Sequence, residues 1–202
     1  MIRNIVLDIH GVLVHTRFNK YIWEHRLTPV DCLVLLKLTK TKVYEGADLG
    51  SLKDKAETAE ALSKAYPEYK KRIEKLFRDH GWNSAKKETV VVSREIEKLS
   101  QDYAVYLLSN LDYEELALIR TMQFNKYISG GVYSCEEGCA KPDKELYQRL
   151  LDKYNLKAEE CVFVDDKIRN VRAAESAGYN GVYFPFPSAG LKRLKKTLKE
   201  NR

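Results

Sequence analysis

Four short segments carry groups that could do chemistry together. The first is Asp8, at the end of the apolar run Asn4-Ile5-Val6-Leu7 and just before the turn Ile9-His10-Gly11. The second is Ser109-Asn110, after Ala104-Val105-Tyr106-Leu107-Leu108. The third is Lys141, followed by Pro142, and the fourth is Asp165-Asp166, after Cys161-Val162-Phe163-Val164. Three of the four stand where an apolar, β-branched run stops. Such runs read as parallel strands buried on both faces, and open α/β sheets bind ligands outside the carboxyl ends of their strands. Each group also has a plainer reading. Asp caps helices and turns, and Lys-Pro is common at helix starts. The ordered combination is far more specific than any member.

In this order the four motifs resemble the haloacid-dehalogenase-like hydrolases, over nearly the whole chain. The nearest likeness is to the sugar-1-phosphate phosphatases and the N-terminal phosphatase domain of soluble epoxide hydrolase. The usual first signature is D-x-D-G-x-L, whereas this chain reads D-x-H-G-V-L, with His10 at the second acidic position. The resemblance implies phosphoryl transfer through an aspartyl-phosphate. That chemistry needs a carboxylate nucleophile, a divalent cation, cationic and hydrogen-bonding groups on the phosphoryl oxygens, and water.

By the same resemblance Asp8 is the nucleophile and a cation ligand, Ser109 bonds one phosphoryl oxygen and the amide of Asn110 another. Lys141 neutralises both the phosphate and Asp8. Asp166 binds Mg²⁺ directly, Asp165 lies beside it in direct contact with the ion or one layer out, and the backbone carbonyl of His10 is a further ligand. Mg²⁺ suits carboxylate oxygens, phosphate and water. Asn170 stands where some relatives carry another acid; it positions water or Asp166, or only sits on a helix turn. His10 has three readings: acid/base in place of the aspartic acid, a non-catalytic occupant, or a mark of lost turnover. The implied substrate is a small phosphorylated metabolite, with sugar phosphates among the candidates. The alternatives are a non-catalytic binding or scaffold protein, a phosphomutase, and a dehalogenase, whose fourth motif typically lacks the paired carboxylates.

The elements that must position these groups read as α/β: a Rossmann-like parallel sheet with an all-helical cap inserted after the first strand. Residues 1–15 and 86–202 form the expected core, and residues 16–85 the cap. Within the cap, Thr28-Pro29 reads as an N-cap and first helical proline, leading into the apolar stretch Cys32 to Leu38. Residues 45–50 read as a loop, and Ser51 with Asp54 as a capping box. Pro67 opens a further helix that Gly81 ends. Strands then alternate with helices, and Pro142 opens the helix carrying Leu146, Leu150 and Leu151. Near the cap's entry, Arg17 or Lys20 could meet an anionic substrate and Trp23 or Tyr21 a sugar ring; cap core with solvated charge is the plainer reading.

Composition bounds the rest. The 202 residues are 44% hydrophobic and 32% charged, enough for one α/β domain with an insertion and too apolar for disorder. The net charge of +6 is spread over helices and a basic C-terminal tail. It reads as solvated faces, so nucleic acid is not an expected partner, although a positive field favours anionic substrates. Cys32 and Cys161 read as core residues, while Cys135 and Cys139 lack the second Cys or His pair of a zinc site. The first strand begins almost at Met1, which leads to an expectation of no signal peptide. No apolar run is long enough to cross a bilayer, so a cytoplasmic enzyme with no membrane partner is expected.

Overall fold

The structure is a computed structural model that describes residues 1–201, apart from the side chains of residues 79, 80 and 84. Strand β1 (Asn4–Leu7) is buried at every position and leads to a tight turn and strand β2 (Val14–Thr16). Five helices follow: α1 (Phe18–Glu24), α2 (Pro29–Leu38), α3 (Lys42–Asp48), α4 (Lys55–Ala65) and α5 (Lys70–Leu76). The chain returns through strand β3 (Lys86–Glu88), antiparallel to β2. It continues as α6 (Val90–Leu99), β4 (Ala104–Ser109), α7 (Tyr113–Arg120), β5 (Gly130–Tyr133), α8 (Ser134–Glu137), α9 (Lys144–Tyr154), β6 (Cys161–Asp165), α10 (Ile168–Ser176), β7 (Asn180–Tyr183) and α11 (Pro187–Glu200).

The sheet order is β5-β4-β1-β6-β7, all parallel. The expected α/β class and parallel sheet are therefore present. β1 lies at the centre because both of its faces are apolar. Alternation along the strands sorts their side chains into two cores. Ile5, Leu7, Val105, Leu107, Val162 and Val164 pack on one side. Val6, Tyr106, Leu108 and Phe163 pack on the other. Register does the positioning: Leu7 pairs with both Leu107 and Val164, so Asp8, Ser109 and Asp165 arrive together at the carboxyl edge.

The helical segment between β2 and β3 has its own core, built from Tyr21, Val34, Leu35, Leu38, Leu62, Ile73, Leu76, Phe77, Trp82 and Ala85. Several local expectations are corrected there. Thr16, the first residue assigned to the helical insertion, ends a strand. Residues 45–48 are helical rather than a loop, because Thr41 caps α3 and Gly46 is carried inside it. Asp54, not Ser51, caps α4 by accepting from the Glu57 N–H, and the Ser51 hydroxyl donates to the Gly46 carbonyl. α5 ends at Leu76, before Gly81, and Pro67 opens only a short 3-10 turn. In the core, α9 starts at Lys144 rather than at Pro142. The Thr28 cap is as expected, and Asp31 completes it as a capping box.

The insertion is tied to the sheet by a buried ion pair. Lys55, at the start of α4, meets Asp112, the N-cap of α7, and both side chains are almost fully buried. The Lys55 ammonium also lies over the Trp82 ring, and its backbone N–H donates to Glu114. Removing one member strands the other charge in a dry site, which typically costs about 3–5 kcal/mol. Asp112→Ala is accordingly expected to lose that much stability in urea unfolding; a loss below about 1 kcal/mol would show that water reaches the pair.

Candidate active site

Asp8 leaves β1 at the sheet edge, and its Oδ1 accepts from three donors: the Ile9 N–H at 2.7 Å, the Ser109 hydroxyl at 2.8 Å and the Lys141 ammonium at 2.9 Å. Burial alone would raise this carboxyl. The positive charge of Lys141, with the hydrogen bonds of Lys141 and Ser109, holds it below its usual range. Asp8 is therefore ionised at neutral pH. Lys141 also reaches Asp165 Oδ2 at 2.8 Å, so one ammonium bridges two carboxylates. Burial opposes its charge, but Asp8 and Asp165 raise its pKa and keep it protonated.

The supporting atoms are specific. Asn110 clasps the Lys141 backbone, its Oδ1 accepting from the Lys141 N–H at 2.8 Å and its Nδ2 donating to the Lys141 carbonyl at 2.9 Å. Asp165, fully buried, accepts from the Lys167 N–H on Oδ1 and from Asn170 and Lys141 on Oδ2. Asn170 thus holds Asp165 rather than Asp166. Gly11 closes the turn after Asp8 at φ +76, and a Cβ there would stand 2.4 Å from Asp166 Oδ2. Only glycine permits both that backbone and that approach.

Asp8, Asp165 and Asp166 form a group whose oxygens lie within 4.8 Å of one another, the one such group among the described residues. Asp166 Oδ1 is buried with no hydrogen-bond partner. Burial and the charges of Asp8 and Asp165 push the Asp166 carboxyl up to about 6. An orphaned carboxylate oxygen amid like charges fits a hard divalent cation. Asp166 and Asp8 are the residues free to hold it, since both Asp165 oxygens are already engaged. Cys135 and Cys139 belong to no group of metal-ligating side chains among the described residues, and burial raises both thiols, Cys135 to about 12. His15 lies at the surface, 3.3 Å from the Thr89 hydroxyl.

His10 projects from the turn between two residues that sequence reasoning missed, Glu115 on α7 and Lys86 on β3. Its Nε2 touches the Glu115 carboxylate and stands 2.8 Å from the Lys86 ammonium; Lys86 and Glu115 also pair directly. Nε2 donates to Glu115 when it carries the ring proton and accepts from Lys86 when it does not. Burial, then Lys86, lowers the imidazole to about 3, and burial lowers Lys86 to about 7. Neither partner lies in a motif; the only hint was that Glu115 follows Ser109-Asn110 in the first turn of a helix. In the insertion, Tyr21 is fully buried with its hydroxyl on the Leu76 carbonyl, which removes it as a sugar platform, while Trp23 is exposed.

An ionised carboxylate at a strand end, a lysine bridging two acids and an acidic pair lie together at the edge of a five-stranded parallel sheet. Residues 2–178 match the haloacid dehalogenase-like hydrolases, and the chain belongs to that family. Among relatives, a sesquiterpene phosphatase, astK, of Aspergillus oryzae is 36% identical over 84 residues, 41% of this chain and 43% of that protein. A phosphorylated carbohydrates phosphatase of Thermotoga maritima is 33% identical over 70 residues, 35% of this chain and 32% of that protein. The chain thus spans less than half the length of either. The fold matches a HAD family enzyme of Bacteroides thetaiotaomicron, solved with magnesium and inorganic phosphate, at a TM-score of 0.72 and 22% identity, covering 94% of this chain and 96% of that one.

Protons compete for Asp166 below about pH 6. Its folded pKa lies above the unfolded 3.8, so its contribution to stability falls as pH rises from about 4 through 6. A bound cation reverses that trend. Added Mg²⁺ is expected to raise the melting temperature at pH 7.5, to do so less at pH 5, and not to do so in Asp166→Asn. A melting temperature indifferent to Mg²⁺ at pH 7.5 would remove the cation from this site.

Proposed function

We propose that this chain is a Mg²⁺-dependent phosphomonoesterase acting on a small phosphorylated metabolite through an aspartyl-phosphate on Asp8. The observation that carries this reading is the ionised Asp8 with one oxygen held by Ile9, Ser109 and Lys141, beside the unpartnered Asp166 oxygen. The Asp8 carboxylate, held in place by these donors, attacks phosphorus. The bond to the ester oxygen breaks and the leaving oxygen takes a proton from solvent; water then attacks phosphorus, returns a proton to solvent, releases phosphate and restores the carboxylate. Lys141, the Ser109 hydroxyl and the backbone N–H of Asn110 meet the charge that develops on the phosphoryl oxygens. Asp8, Asp166 and the His10 carbonyl would hold Mg²⁺, which supplies further charge neutralisation at the phosphoryl group. Asp165 keeps Lys141 aimed. We read residues 16–85 as a cap over this edge and residues 1–15 and 86–202 as the catalytic core, in a cytoplasmic setting.

Asp165-Asp166 favours a phosphatase over a dehalogenase. The relatives named for a sesquiterpene and for phosphorylated carbohydrates agree on phosphate removal and differ in the group that carries it. His10 takes the acid position as a neutral ring clasped by Glu115 and Lys86. A neutral imidazole offers the leaving oxygen little acid, which suits substrates whose leaving group departs readily, such as an anomeric phosphate.

Release of phosphate from an aryl phosphate should require Mg²⁺ and stop with EDTA. Asp8→Asn should lower turnover by at least about 10⁴-fold with an unchanged circular dichroism spectrum. Retained turnover in that variant would refute the nucleophile. His10→Gly should slow aryl and alkyl phosphates by similar factors, under about tenfold, because a working general acid contributes about 10²–10⁴. A far larger loss on the alkyl ester would make His10 the acid after all. Bound Mg²⁺ with no turnover of any phosphate ester would favour the scaffold reading.

A further inference from the structure

Helix α2 carries apolar side chains on both its inward and outward faces, with Asp31 and Lys37 its two charged residues. Its inward residues Val34, Leu35 and Leu38 belong to the core of the insertion. Its outward residues Val30, Leu33 and Leu36, spaced three apart, are 49%, 66% and 59% exposed. A helix apolar on opposite faces is normally buried on both, yet this one keeps an open face. Helix α1, four residues upstream, adds Phe18, Ile22 and Trp23, the last 81% exposed. Both helices pack inward on one cluster, through Tyr21 and through Val34, Leu35 and Leu38. The two neighbouring helices together leave six large apolar side chains in the open, and exposed apolar surface of this kind marks a contact site.

The charge around it selects the partner. Residues 17–45 hold six Lys and Arg against Glu24, Asp31 and Glu45; Lys20 pairs with Glu24 and Lys42 with Glu45, and a surplus of three positive charges remains. Asp31 is buried and already bound by Arg72 and Lys75. Lys70 and Lys71, with Glu68 and the bound Asp31 beside them, extend the basic rim next to Thr28, where α2 begins. Two copies joined through this face would set one cationic rim against another, which disfavours self-association. An anionic lipid surface answers both features: apolar and Trp side chains enter the headgroup boundary, and Lys and Arg meet the phosphate and carboxylate headgroups.

We propose that the α1–α2 face of the insertion docks on anionic membrane surfaces. No helix among the described residues is long and apolar enough to span a bilayer, so the contact is peripheral. The sequence led to an expectation of no membrane partner; the exposure of α2, which pattern alone does not reveal, is what changes that reading.

Sedimentation of the full chain with phosphatidylcholine vesicles, with and without phosphatidylserine, tests the proposal. Binding is expected to be at least about tenfold tighter with phosphatidylserine and to weaken as salt is added. Tryptophan emission should shift to the blue on binding. Trp82 is already buried, so Trp23→Phe should erase that shift. Leu33→Asp with Leu36→Asp should weaken binding about tenfold or more while leaving turnover of a soluble aryl phosphate unchanged. Equal or absent binding to the two vesicle types overturns the proposal. So does concentration-dependent dimerisation that the double variant abolishes. Should the double variant misfold, the lipid and salt dependence and the Trp23 signal of the unaltered chain still decide.

Discussion

The Lys141 ammonium holds Asp8 and Asp165 together in a site almost closed to water. Two carboxylates buried side by side would repel and take up a proton. One cation between them keeps Asp8 ionised. It also explains the network behind it, because a buried ammonium must itself be held. Asn110 fixes its backbone, Asp165 fixes its head, and Asn170 and the Lys167 N–H fix Asp165. The central β1, flanked by β4 and β6, delivers Asp8, Ser109 and Asp165 to the same edge, and Lys141 enters from the segment between β5 and α9. Among the acids of this site Asp166 is left with a buried oxygen, Oδ1, that no protein donor satisfies. The cation reading follows from that imbalance of charge more than from the number of acids.

Much of this was legible in the sequence because parallel strands leave a strong pattern. Apolar runs that stop at Asp8, Ser109 and Asp165 fixed both the sheet and the edge where the site lies. What did not show was where each lone pair goes. The amide of Asn110 was expected to meet phosphate, and Asp165 to touch the metal or lie one layer out; that both side chains also hold Lys141 is a use residue type does not reveal. Glu115 and Lys86 escaped notice because they reach His10 from a helix turn and a short return strand that carry no motif. In the insertion, local rules competed. Gly46 suggested a loop but was carried inside α3 by the Thr41 cap, and Asp54 outbid Ser51 for α4.

The insertion answers two demands with few residues. Its own core and the Lys55–Asp112 pair seat it on the sheet. Its outer helix spends apolar residues on both faces, which a self-contained cap does not need. A sequence shows that α2 is apolar; only packing shows that half of it has no cover. The basic surroundings then turn an exposed greasy face into one that prefers an anionic surface over another copy of itself.

The covalent state of Asp8 during turnover tests the central chemistry most directly. The enzyme would be quenched in acid while hydrolysing an aryl phosphate with Mg²⁺, digested, and its peptides weighed. One phosphoryl group on the peptide containing Asp8, absent from Asp8→Asn, is the result that ionised Asp8 beside Lys141 requires. Brisk phosphate release with no adduct on that peptide, or an adduct on another residue, would contradict it.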